Sequence, residues 1–129
     1  MVVEKKEMNE YGNIKIADEV VGIIAGLAAT EVEGVAGMSG GIAGGIAEIL
    51  GRKNLSKGVK VEVGEREAAV DLFIIVDYGV RIPEVAWNVQ ENVKKAIENM
   101  TGLNVVEVNI HVQGVNFKNE SKKDEARVQ

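Results

Sequence analysis

The stretch 69–112, AVDLFIIVDYGVRIPEVAWNVQENVKKAIENMTGLNVVEVNIHV, decides the fold. Its first nine residues alternate, with Val70, Leu72, Ile74 and Val76 on one face, which is the period of a strand with a buried side. Pro83 then opens a helix where a missing N–H costs least. Val85, Val89, Val93, Ala96, Ile97 and Met100 form one apolar stripe along that helix, and Gly102 is its stop signal. A closing strand sets Val106, Val108, Ile110 and Val112 inward and Glu107, Asn109, His111 and Gln113 outward. Strand, helix and strand in this order predict two parallel neighbours joined by a crossover.

Working outward, the same phrase occurs earlier. Tyr78-Gly79 leads into Val80-Arg81-Ile82 and a helix; Tyr11-Gly12 leads into Ile14-Lys15-Ile16, Asp18 and another apolar helical stretch. The reading is a duplicated strand–helix–strand unit, with its first strand at 13–16. The first helix runs from an Asp18 N-cap to about Val32. It is apolar nearly all round, so it is covered on more than one side. Gly22 and Gly26 within it allow close packing. A short strand follows at 35–38. Val59, Val61 and Val63 alternate with Lys60 and Glu62, and the turn at 64–67 joins them to the strand at 69–77 as a hairpin. The predicted fold class is α+β: a two-layer mixed β-sheet with helices packed on one face.

A chain of 129 residues is one domain by length and buries enough surface to need no metal or disulfide. The domain is placed at 11–117, between a charged flexible leader at 1–10 and a charged disordered tail at 118–129. A mobile glycine-rich segment interrupts it at 34–58. The leader has no apolar core of the secretory type, and the longest uncharged run, 34–47, is too short and glycine-rich to span a bilayer. With no Cys, the chain reads as cytoplasmic. A net charge of −5 argues against broad binding to a phosphate backbone.

Motifs of chemistry fail in turn. No G-x-G-x-x-G and no Gly-Lys-Ser/Thr occurs. His111 is the sole His, and Asp71 and Asp77 lie about 20 Å apart by strand rise, too far to act as a carboxylate pair. The expectation is no enzyme, no cofactor, no metal and no small-molecule substrate. The tetrads Gly34 to Gly37, Gly37 to Gly40 and Gly41 to Gly44 have the form of a nucleic-acid clamp. With Arg52 and Lys53 they make a nucleic-acid module the alternative function. Two surfaces remain. Ile42, Ile46, Ile49 and Leu50 at helical spacing, followed by Arg52, Lys53 and Lys57, are the candidate contact with a partner or with anionic lipid. Phe73 and Ile75, opposite the buried face of their strand, and Trp87, off the helix stripe, are the candidate surface of a homo-oligomer.

The segment 77–115, DYGVRIPEVAWNVQENVKKAIENMTGLNVVEVNIHVQGV, resembles the alkaline-shock-protein, or envelope stress response, family of Gram-positive bacteria. So does GNIKIADEVVGIIAGLAATEVEGVAGM at 12–38, ahead of a glycine-rich insertion. The order and spacing of these pieces carry the resemblance. It implies a non-enzymatic cytoplasmic protein of envelope homeostasis. Such a protein works at the inner face of the membrane through self-assembly or a membrane-anchored partner, with a link to lipid metabolism in some relatives.

Overall fold

The computed structural model describes residues 11–40 and 57–117. The elements run α1 (Asp18–Thr30), β1 (Val35–Met38), β2 (Val59–Val63), β3 (Glu67–Asp77), α2 (Ile82–Thr101) and β4 (Asn104–Asn116). β3 is the axis of a mixed sheet. β4 pairs with it in parallel along its whole length, from Glu67↔Asn104 to Asp77↔Asn116. On the other side two antiparallel strands share β3 end to end: β2 against residues 68–72 and β1 against residues 74–76.

Both helices lie on one face of this sheet, because their buried residues join a single core. Val21, Ile24, Ala25, Ala28 and Ala29 of α1 meet Val70, Leu72, Ile74 and Val76 of β3 and Val85, Val89, Val93 and Ile97 of α2. The α+β class and the two-layer arrangement follow. The burial alternates residue by residue along β3, as its sequence period requires. α1 is covered twice, by α2 and by the β1–β2 side of the sheet. Gly22 and Gly26 are buried in it, and Asn92 of α2 approaches closely enough for its Nδ2 to donate to the Ala28 carbonyl at 2.7 Å. α2 starts with Pro in its first turn and stops at Gly102, whose φ of 78° is the left-handed stop that glycine adopts without strain.

Four sequence expectations need correction. Residues 13–16 form no strand and pair with none of the four strands; Ile14 is 71% exposed, so the segment has no buried face to hold it on the sheet. The first copy of the repeat is therefore helix–strand within the described residues. α1 has Ala17, not Asp18, at its N-cap position and ends at Thr30, where Val32 N–H turns back to the Ala29 carbonyl. In β4, Val105 is buried and Val106 is exposed, since a bulge between Val105 and Glu107 shifts the alternation by one. Met100 is 70% exposed despite lying on the stripe. α2 has 20 residues against 13 in α1, about 30 Å against about 20 Å, so the last turn of α2 outruns its neighbour.

The leader at 1–10, the tail at 118–129 and residues 41–56 of the glycine-rich segment lie outside the described residues. The described parts of that segment border the sheet. Gly34 turns the chain into β1 at φ 102°, and a Cβ there would stand 2.7 Å from Cγ2 of Val85. Gly58 returns it into β2 at φ 82°.

Candidate functional site

The sheet face away from the helices has no second layer among the described residues, and it is the candidate site. β3 supplies Ala69, Asp71, Phe73, Ile75 and Asp77 to it, because the even-numbered residues of that strand are spent on the core. Register decides what stands beside them. Phe73 is opposite His111 of β4, and the two rings stack at 4.4 Å between centroids with planes 11° apart. From the β2 side, Lys60 Nζ lies 5.5 Å from the Phe73 centroid, within range of a cation–π attraction. Asp71, beside Lys60 in register, reaches His111 Nε2 at 3.4 Å. A hydrogen bond from Asn109, then that from His111, hold the Asp71 carboxyl below the usual carboxylate range, with the Lys60 charge adding a little.

Ile75 has a different setting. Its neighbour in β1 is Gly37 and its neighbour in β4 is Gly114. The Ile75 side chain lies over Gly114, whose Cβ position would be 3.6 Å from Ile75 Cγ1, and over Gly37 there is open space to 4 Å. A glycine inside a strand marks a place where another group can come close. Here two of them flank one aliphatic side chain. Ser39 Oγ donates to Gln113 Oε1 at 2.9 Å, tying together the strands on either side of β3. The site is thus a flat, half-buried apolar strip, Phe73 and Ile75. A small polar set of Lys60, Asp71 and His111 lies at its lower end and Asp77 at its upper end.

Trp87 is not part of this strip. It is 56% exposed on α2, in the other layer. Phe73 and Ile75 therefore share a surface, and Trp87 belongs to a second one. Of the residues expected to meet a partner or lipid, Ile42, Ile46, Ile49, Leu50, Arg52 and Lys53 lie outside the described residues; Lys57 is exposed just before β2. The clamp reading of the glycine tetrads loses its geometry at the first two. Gly34 is buried in a turn under Val85, and Gly37 is inside β1, paired with Ile75. The tetrad at 41–44 lies outside the described residues.

Sequence reasoning did not find the Phe73–His111 stack or the glycines flanking Ile75. Both depend on a parallel register that no single strand's periodicity encodes. A separate open cleft of about 440 Å³ is lined by Arg66, Glu67, Glu98, Gly102, Leu103 and Asn104. Glu98 on its wall is already engaged: it accepts from Lys94 Nζ at 2.8 Å and from Val105 N–H at 3.0 Å, and these hold its carboxyl below the usual range. Among the described residues no group of three or more His, Cys, Asp or Glu could hold a metal, and no helix is long and apolar enough to cross a membrane.

Residues 6–117 match the family model of alkaline shock protein 23, described as having a cell envelope-related function. The chain is 43% identical over 117 residues to YqhY of Bacillus subtilis, covering 91% of this chain and 87% of that one. It is 44% identical over 112 residues to YloU of the same organism, covering 85% and 93%. It is 30% identical over 119 residues to a stress response regulator gls24 homolog of Streptococcus pyogenes, covering 92% of this chain and 66% of that one. The chain belongs to the alkaline shock protein family.

Proposed function

We propose that this member of the alkaline shock protein family is a non-enzymatic, cytoplasmic protein of cell-envelope homeostasis that acts by associating with copies of itself through the uncovered face of its sheet. The observation that carries the reading is the Phe73–Ile75 strip. An aromatic and an aliphatic residue stand on an open sheet face, and glycines on both flanking strands clear the approach to Ile75. Stacked sheets pack about 10 Å apart through such side chains. The absence of a catalytic cluster in the sequence and the family's envelope-related description support the non-enzymatic part. The second part of the proposal is contact with a membrane-anchored partner or with anionic lipid at the inner face of the membrane, with a link to lipid metabolism. It rests on the apolar and basic sequence at 42–57.

The test is the solution mass of the full chain by multi-angle light scattering, compared with Phe73→Glu/Ile75→Glu. Both positions are only half-buried, so the variant should fold, which far-UV circular dichroism checks. A mass above that of one protomer, lowered in the double variant, is the expected result. An equal mass for both proteins would refute the role of this face. For the lipid arm, flotation with anionic vesicles should be lost in Arg52→Glu/Lys53→Glu; equal flotation of the two would remove it.

A further inference from the structure

The outer edge of β4 is half protected and half open. Three side chains at i, i+4 and i+8 on α2 reach over its first part. Glu98 accepts from the Val105 N–H at 3.0 Å, Lys94 donates to the Val105 carbonyl at 3.2 Å, and Gln90 donates to the Val108 carbonyl at 2.9 Å. This is how a sheet edge is closed to further pairing. One turn earlier the position falls on Ala86, which has no polar group to offer. Beyond Val108 the protection therefore stops.

Which backbone groups are left open follows from the register. Phe73 turns its N–H and C=O toward Gly58 and Ser39, on the β1–β2 side. Leu72 and Ile74 therefore turn theirs toward β4. In a parallel ladder their partners, Ile110 and Val112, then point outward. Among the described residues nothing pairs with these four groups. The surrounding sequence at 108–115, VNIHVQGV, carries no Lys, Arg, Asp or Glu, whereas the edge strand β2 carries Lys60 and Glu62. Val108, Ile110, Val112 and Val115 in it are β-branched; Val112 and Val115 are exposed, and so is Trp87, which continues the Gln90–Lys94–Glu98 stripe of α2 at i−3.

We propose that a second copy of this chain pairs with this edge, β4 against β4, antiparallel about a twofold axis at His111. The register is fixed by elimination. An axis at Ile110 would require Val112 to bond Val108, whose carbonyl Gln90 already occupies. An axis at Val112 would set Ile110 against Gly114, beyond the bulge between Ile74 and Ile75 where the outward direction is lost. An axis at His111 pairs Ile110 of one protomer with Val112 of the other, twice, and uses only the open groups. It makes one continuous sheet from two protomers and brings the two Trp87 side chains toward the seam. The apolar surface this covers, mainly Trp87 and Val112, is on the order of 200 Å² per protomer. That is below the usual size of a stable specific interface, so the dimer should be weak and concentration-dependent. With −5 on each protomer, added salt should screen their mutual repulsion and strengthen it.

His111, at the axis, stacks on Phe73 through its side chain, but the edge pairs through the backbone of Ile110 and Val112 and uses no side chain of the strip, so each surface can fail alone. The chain has no Cys, which gives a clean probe. An antiparallel pair without mutual hydrogen bonds holds its Cα atoms about 4.5 Å apart, within disulfide range. Under mild oxidation His111→Cys should form a covalent dimer at least tenfold faster than Asn109→Cys, whose counterpart would lie about 13 Å away. The cross-link should persist in a Phe73→Glu/Ile75→Glu background. It should fall at least tenfold in Val112→Pro, which removes an outward N–H and leaves the β3 ladder intact. Equal rates for the two cysteines, or a rate unchanged by Val112→Pro in a chain shown to be folded, would overturn the proposal.

Discussion

Gly58 is the point where a single added methyl should be felt most. Its φ of 82° is left-handed, where an L-side chain costs about 1–2 kcal/mol. A Cβ there would also stand 2.8 Å from the Ser39 carbonyl oxygen and 3.2 Å from that of Phe73. Both are backbone atoms, and the surrounding bonds lock them: Ser39 N–H to the Phe73 carbonyl at 2.7 Å and Phe73 N–H to the Gly58 carbonyl at 2.8 Å. The methyl cannot be absorbed by a rotamer change, so overpacking adds about 1–3 kcal/mol. Gly58→Ala should therefore cost roughly 2–5 kcal/mol, or about 8–20 °C in Tm for a domain this size. Gly79→Ala is the matched control. Its φ is 96° with nothing within 4 Å, so it carries the dihedral strain alone, about 1–2 kcal/mol. Urea unfolding followed by circular dichroism at 222 nm measures both. If Gly58→Ala proves no worse than Gly79→Ala, the close packing of β1, β2 and β3 around residue 58 is wrong.

Core and edge give two more expectations. Val93 is fully buried between the layers, and Val93→Ala should cost about 2–3 kcal/mol from lost burial and the cavity left, while Lys95→Ala on the exposed side should be near neutral in the same melts. Glu98 is held below its usual value of 4.5 by Lys94 and the Val105 N–H. A depressed folded-state pKa stabilises above the unfolded value and loses that contribution as pH falls through the folded one. Glu98→Gln should therefore cost about 1 kcal/mol at neutral pH, reduced by its partial exposure, and progressively less below about pH 4.5. A cost independent of pH would show that the carboxylate charge is not what holds Val105.

Much of this fold was legible because three independent signals agree in residues 69–112. Alternation in β3, the 3.6-residue stripe of α2 and the punctuation by Pro83 and Gly102 all point to the same elements, and the structure contains them. What was not legible is relational. The bulge that exchanges Val105 for Val106 depends on how β4 meets β3, and period-2 reasoning assumes an unbroken ladder. The strand expected at 13–16 fails for a similar reason: local β-propensity cannot say whether a segment finds a buried face on the sheet. At the candidate site, the outward face of Phe73 and Ile75 could be read from alternation alone. Their surroundings could not, since His111, Gly37 and Gly114 are brought in by register across three strands.

The two surfaces differ in what they ask of evolution. Edges and open faces are both hazards to a folded chain, and this chain treats them unequally. Along β4 it spends Gln90, Lys94 and Glu98 to close Val105 and Val108, then leaves Ile110 and Val112 open in an uncharged run. On the sheet face it surrounds Phe73 with Lys60, Asp71 and His111, then places glycine on both sides of Ile75. In each case polar protection covers one part of an exposed surface and stops beside aliphatic residues. A chain avoiding all contact would have continued it. On the proposed reading, the unprotected parts are covered by copies of the chain. Charged substitutions at Val112 and Ile75 should then raise solubility while impairing assembly, each on its own surface.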